Sequence, residues 1–166
     1  MADMANEEGD EMMTHYPTIK VKLDERAILP QRAHDTDAGA DIFTPRDVTV
    51  PQSLAYDNGT LGIGYAIVHT GVHVELPPTT VGMLKSKSGL NVKHGIISEG
   101  VIDEGYDGEI VVKLYNLTHK PVCLPKGSKI TQLCVMPVCY PTYRQADEIN
   151  AGDRGSNGFG STGVRL

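Results

Sequence analysis

Apolar residues in this chain return at every second position, not every third or fourth. In "TIKVKLDE", Ile19, Val21 and Leu23 alternate with Lys20, Lys22 and Asp24, the period of a strand with one buried face. Ile110, Val112 and Leu114 alternate in the same way with Val111, Lys113 and Tyr115. "DVTVPQ" is a short strand candidate stopped by proline, and "IGYAIVHTGVHVELPP" holds two strand-like runs parted by Gly71. "VGMLKSKSG" and the two runs of "KPVCLPKGSKITQLCVMPV" extend the series. Helix is expected only as a turn or two, around Asn91–His94 or near Gln145–Asn150. Many short strands punctuated by turn residues predict an all-β barrel or double-sheet roll.

Composition supports that pattern. The 166 residues include 18 Gly, 10 Pro and no Trp, and 40% are hydrophobic, enough for one domain with a core. The net charge of −6 is unevenly spread. Residues 1–15 carry five acids (Asp3, Glu7, Glu8, Asp10, Glu11) and no Lys or Arg, which predicts a solvated, disordered acidic arm. No basic cluster offers a nucleic-acid surface, so none is expected as a partner. No apolar run is long enough for a membrane span and no signal peptide opens the chain, so a soluble, cytoplasmic protein is expected. Cys123, Cys134 and Cys139 form no CxxC pair; reduced thiols are expected, with Cys134 and Cys139 as small core hydrophobes.

A β roll says little about chemistry, so the polar islands between strands decide it. "HDTDAGADIF" carries Asp35 and Asp37 as turn residues, and Asp41 where a strand begins, placed to orient metal-bound water. "KSKSGL" reads either as a solvated loop or as an anion cradle of hydroxyls, amides and ammonium groups. In "GVIDEGYDGEI", Val101 and Ile102 are expected to anchor a glycine hairpin inward. Asp103 then follows as a candidate general base and Tyr106 as a flat stacking surface. The plain alternative is a hairpin with an Asp in its turn. Gln132 in "KGSKITQL" is expected to point inward and to need partners there, in backbone or ligand. Near its end stands "RGSNGFGSTG", which holds almost nothing to bury and reads either as a frayed tail or as a ligand-closing arm. Phe159 can cap a base, Arg154 can fork onto phosphate, and Ser161, Thr162 and the glycine amides can wrap a phosphate.

In this order, "DAGADI", "KSGL", "GVIDEGYDGEI", "GSKITQL" and "RGSNGFGSTG" resemble the five motifs of the trimeric dUTP pyrophosphatase (dUTPase) family, from about Ile19 to Gly163. The resemblance implies a jelly-roll homotrimer with active sites between subunits, hydrolysing dUTP to dUMP and pyrophosphate with Mg²⁺. Beyond the acidic arm over 1–15, which lies outside the resemblance, it implies a β-roll domain over 16–150 and a flexible C-terminal lid over 151–166, closing on a neighbour's site. Asp103 would activate the attacking water, with Ser88 and Gln132 in the catalytic set. Tyr106 would stack under the deoxyribose, and the backbone from Ile97 to Gly100 would read the uracil edge. Lys87, Ser88, Gly89 and Gln132 would contact phosphates, and Asp41 would hold the metal through water. Arg154, Phe159, Gly160, Ser161 and Thr162 would arrive from another chain. Two departures stand out: Lys87 occupies a position where the family has arginine, and "AYDNGTLGIG" runs long. The alternative on the same roll, a dCTP deaminase, does not usually carry the glycine-rich tail. The acidic arm leaves a regulatory protein partner as a further expectation.

Overall fold

The computed structural model describes residues 17–57, 59–150, 152 and 155. Among these residues thirteen strands and one short helix follow in order: β1 (Lys20–Leu23), β2 (Gly39–Phe43), β3 (Val48–Val50), β4 (Leu54–Ala55), β5 (Leu61–Gly62), β6 (Gly64–His69), β7 (Val72–Glu75) and β8 (Thr80–Ser86), then α1 (Ser88–His94), β9 (Ile96–Ile97), β10 (Glu99–Ile102), β11 (Val111–Asn116), β12 (Val122–Leu124) and β13 (Lys129–Pro137). Every named pairing is antiparallel. A four-stranded sheet runs β10–β8–β13–β2, a three-stranded sheet runs β6–β11–β9, and β1–β7, β12–β3 and β4–β5 form two-stranded ribbons. Among the described residues no helix is long and apolar enough to cross a membrane.

The period-two reading of β11 holds in the structure. Ile110, Val112 and Leu114 are fully buried, while Val111 is exposed and Lys113 lies over the rings of Tyr65 and Tyr115 at 4.2 and 4.9 Å. The inward residues join Ile42, Val50, Val68, Val72, Leu84, Ile96 and Ile130 in one core. Ser98 is where the chain changes sheets: Ile97 pairs with Tyr115 in one, Glu99 with Lys85 in the other. A backbone that leaves one ladder and joins another must satisfy its polar groups locally. The Ser86 hydroxyl does this, accepting from the Ser98 amide and donating to its carbonyl, both at 2.9 Å. Ser98 Oγ donates in turn to Thr131 Oγ1, at 2.9 Å.

Asn116 is another buried polar tie, with none of its surface exposed. Its amide donates to the carbonyls of Val50 and Lys120 at 3.2 and 2.8 Å. Its Oδ1 accepts from the amide and hydroxyl of Thr118 at 2.9 and 2.8 Å. Truncation strands several buried groups at once, so Asn116→Ala is expected to destabilise the protein by about 2–4 kcal/mol. Urea unfolding of the two proteins measures it.

Four local expectations change. Val101 is 58% exposed and only Ile102 points inward, because consecutive residues of β10 face opposite sides of the sheet. Cys139 is exposed and Cys134 half-buried, since β13 ends at Pro137 before the chain reaches Cys139; all three thiols are free. Residues 145–150 are exposed and carry no helix. The helix that does form covers Ser88–His94, and Gly95 at φ +63 closes it by donating its amide to the carbonyl of Asn91.

Candidate active site

Asp41 is the most heavily engaged carboxylate among the described residues. It sits in β2, 3% exposed, where antiparallel register places it beside Gln132 of β13. Gln132 lies beside Lys85 of β8, and Lys85 beside Glu99 of β10. Directly opposed residues share a face, so Asp41, Gln132, Lys85 and Glu99 form one polar rung across four strands. Lys85 donates to Glu99 at 2.8 Å. Lys87 Nζ donates to Asp41 Oδ1 at 2.6 Å, Lys129 Nζ lies 2.8 Å from Oδ2, and Gln132 Nε2 donates to Oδ1 at 3.4 Å.

Lys129 was absent from the sequence reading. Three residues before Gln132, it would face the opposite way on a regular strand. A β-bulge between Lys129 and Thr131 inserts one residue and resets that alternation.

Burial alone would raise the Asp41 pKa. The hydrogen bonds and charges of Lys129 and Lys87 outweigh it and hold the carboxyl below the ordinary carboxylate value. A depressed pKa adds stability that is complete above the unfolded-state value and is lost as pH falls through the folded one. An acid titration of stability is therefore expected to show a step below about pH 4 that Asp41→Asn removes.

Ser88 and Gly89 open α1 directly after Lys87; both are exposed, and a Cβ at Gly89 would meet nothing within 4 Å. The phosphate-contact candidates Lys87, Ser88, Gly89 and Gln132 therefore gather at one end of β8 and β13, with Asp41. Asp103 and Tyr106 gather elsewhere, with Gly100 on β10 between the two groups. Gly100 pairs with Leu84 and Ile102 with Gly82, which carries Asp103 toward the Thr80 end of β8. Lys87 lies five residues beyond Gly82, about 16 Å along the strand. Ile97 sits half-buried on β9, paired to Tyr115.

Asp103 is exposed, not held by burial, because only Ile102 before it is anchored. It lines a hollow of about 490 Å³ with Thr80, Val81, Glu104, Gly105, Val138 and Tyr140. Glu104 fixes the hairpin there: Oε2 accepts from the Tyr140 hydroxyl at 2.5 Å and the Thr79 amide at 2.8 Å, which keep its pKa low. The turn closes through the Tyr106 amide, donating to the Asp103 carbonyl at 3.1 Å across Gly105 at φ +81. Tyr106, 46% exposed, donates its hydroxyl to the Glu109 carbonyl at 3.0 Å. Its ring presses on Gly108, where an added Cβ would come within 2.3 Å of the hydroxyl oxygen. Tyr106 faces a second hollow of about 510 Å³, with His73, Lys20, Lys22 and Glu75. Arg154, Phe159, Gly160, Ser161 and Thr162 lie outside the described residues, as do residues 1–15.

The donor set speaks against a directly chelated metal. Among the described residues no three His, Cys, Asp or Glu side chains converge. Asp41 has an ammonium group on each oxygen. A divalent cation bound there directly would meet two like charges. Contact through water to an ion carried by a ligand is the arrangement these residues fit.

The all-β roll carries an exposed carboxylate on a hairpin at one end of a sheet and, at the other, a polar rung whose Asp41 is held by two ammonium groups, a class of site suited to an anionic ligand. The dUTPase family profile matches residues 25–163. A deoxyuridine 5'-triphosphate nucleotidohydrolase of Clostridium acetobutylicum is 37% identical over 147 residues, covering 87% of this chain and 94% of the relative. One from Alkaliphilus metalliredigens is 38% identical, covering 89% and 98%. The dUTPase of Staphylococcus bacteriophage 80alpha, solved with dUPNHPP, superposes with a TM-score of 0.77 at 29% identity, over 90% of this chain and all of that one. A dUTPase mutant from phage phi11 of S. aureus, described with a structural Mg(II) ion, gives 0.68 at 26% identity over 81% of this chain and all of its own. The chain belongs to the dUTPase family. It is a hydrolase of nucleotide metabolism.

Proposed function

We propose that the protein hydrolyses dUTP to dUMP and pyrophosphate, at sites assembled between copies of the chain in a homotrimer. The observation that carries this reading is the separation of the two half-sites. Asp103 and Lys87 stand at opposite ends of β8, too far apart to serve one phosphate within one chain. A second copy, offering its Lys87 end to the first copy's Asp103 end, brings them together. The outward strip of Tyr65, Ile67 and Val111, each at least 41% exposed, is apolar surface that such a contact would cover.

In this reading Asp103 takes the proton of the attacking water, its exposure in the single chain ending when the second copy covers the hollow. Tyr106 supports the deoxyribose, and the strand from Ile97 to Gly100 presents backbone groups to the uracil. Lys87, Ser88, Gly89 and Gln132 face the phosphates, where positioning and charge supply most of the rate. Asp41 would hold, through water, a Mg²⁺ ion carried by the triphosphate, which would supply charge neutralisation that this acidic chain cannot supply alone. Arg154, Phe159, Gly160, Ser161 and Thr162 complete the site from a third copy. A protein partner engaging residues 1–15 is part of the same proposal, tested by capture with and without them.

Pyrophosphate release measured on dUTP, dCTP, dTTP and UTP tests the reading. Strong preference for dUTP is expected. Ammonia release from dCTP would assign the roll to the deaminase chemistry instead.

A further inference from the structure

His73 lies on β7 opposite Lys22 of β1, with its side chain 17% exposed. Both ring nitrogens face acceptors: Nδ1 is 2.9 Å from the Asp107 carbonyl oxygen and Nε2 is 3.1 Å from Oδ2 of Asp24. Neither a carbonyl nor an ionised carboxylate can donate, so both contacts are hydrogen bonds only when both nitrogens carry protons. A neutral ring has one N–H and sets its other lone pair against an oxygen. The geometry is built for the imidazolium.

The Asp107 carbonyl belongs to the residue after Tyr106, in the hairpin that also carries Asp103. The Asp103 side of that hairpin is held by β10 and by the bonds of Glu104 to Tyr140 and Thr79. On the Tyr106 side, the Tyr106 hydroxyl bond stays within the hairpin, and the Asp107 carbonyl is tied to β7 through His73. We propose that His73 is a positioning residue whose imidazolium clamps the Tyr106–Asp107 segment to the turn after β1, making nucleotide affinity pH-dependent. This rests on the dUTPase reading of Tyr106. It predicts an effect on KM and not on kcat, because Asp103 has its own anchors.

The charged groups around the ring act in both directions. Asp24 faces Nε2, Lys22 stands opposite on β1, and Glu104 and Tyr106 share the hollow with the Lys20–Glu75 pair. Glu109 is engaged by His69 and the Gly71 amide. The Asp107 carbonyl and then Asp24 raise the His73 pKa above the ordinary histidine value, against burial and Lys22. The clamp is therefore complete below that ordinary value and is lost as pH rises through the raised one.

The test combines NMR titration of the His73 ring with steady-state kinetics on dUTP from about pH 5.5 to 9. In the wild type KM is expected to rise roughly 3–10-fold through the ring titration, the size of one ordinary lost hydrogen bond, since the clamp reaches the nucleotide only through the hairpin. His73→Gln should have the higher KM throughout and lack that step. Asp24→Asn should keep the low KM and also lack the step, because the new amide can donate to Nε2 of a neutral ring whose Nδ1–H still reaches Asp107. Its ring pKa should fall. Titrations outside the His73 ring and its partner are common to all three proteins and cancel. Superimposable KM profiles for wild type and His73→Gln, or a ring pKa that Asp24→Asn leaves unchanged, would overturn the proposal. Absence of dUTP turnover would sink the functional reading, and the ring titration would still decide whether the clamp exists.

Discussion

Asp103→Asn is expected to cut kcat on dUTP by roughly 10²–10⁴-fold, the range for losing a positioned general base. Folding and KM should change little. The side chain is exposed and makes none of the hairpin's bonds: the turn closes through the Asp103 carbonyl, and Glu104 ties the hairpin to Thr79 and Tyr140. The amide keeps the shape and cannot take the water's proton at neutral pH. Single-turnover kinetics with matched thermal unfolding separate chemistry from stability. Near-normal turnover in the variant would remove Asp103 from the mechanism.

The second large effect is expected at Lys87. Its side chain is 21% exposed, next in sequence to Ser88, and its ammonium sits 2.6 Å from Asp41 Oδ1. Lys87→Ala removes a charge from the phosphate end of the site and leaves Asp41 with Lys129 and Gln132. Losing one charge-assisted hydrogen bond costs about 1.5–3 kcal/mol, or roughly 10–100-fold in kcat/KM. Lys87→Arg keeps the charge and adds a second donor, so activity at or above that of the wild type is expected. The rival outcome is a clash of the larger guanidinium, with Lys85 sharing the phosphate contact. Wild-type activity in the alanine variant would make Lys87 a loop lysine whose contact with Asp41 is structural only.

What could be seen in the sequence was what repeats locally. The alternation of Ile110, Val112 and Leu114 is written into consecutive residues, and β11 follows it. Asp41 was legible as a carboxylate at the start of a strand, next to Ile42 and Phe43. Its partners were not. Lys129 reaches Asp41 through a bulge, and a single inserted residue leaves no mark in the hydrophobic pattern. The rung from Asp41 to Glu99 depends on the registers of three strand pairs, and β2, β8, β10 and β13 are far apart in sequence. Ser98 looks like any loop serine until two ladders meet at it. His73 and Asp24 are 49 residues apart, and nothing local to either indicates the other. The motif order singled out Asp103 as a candidate base but not its exposure, which a period-two strand ending in Ile102 decides.

The central claim is that Asp103 and Lys87 of one working site come from different chains. Co-expressing the Asp103→Asn and Lys87→Ala chains with different tags, and keeping only assemblies that carry both, tests it directly. In a cyclic trimer of mixed composition one of the three interfaces pairs an intact Asp103 with an intact Lys87. Pyrophosphate release from dUTP at about one third of the wild-type rate per trimer is the predicted result. Activity no higher than the average of the two parent variants would place both residues in a site within one chain and contradict the account.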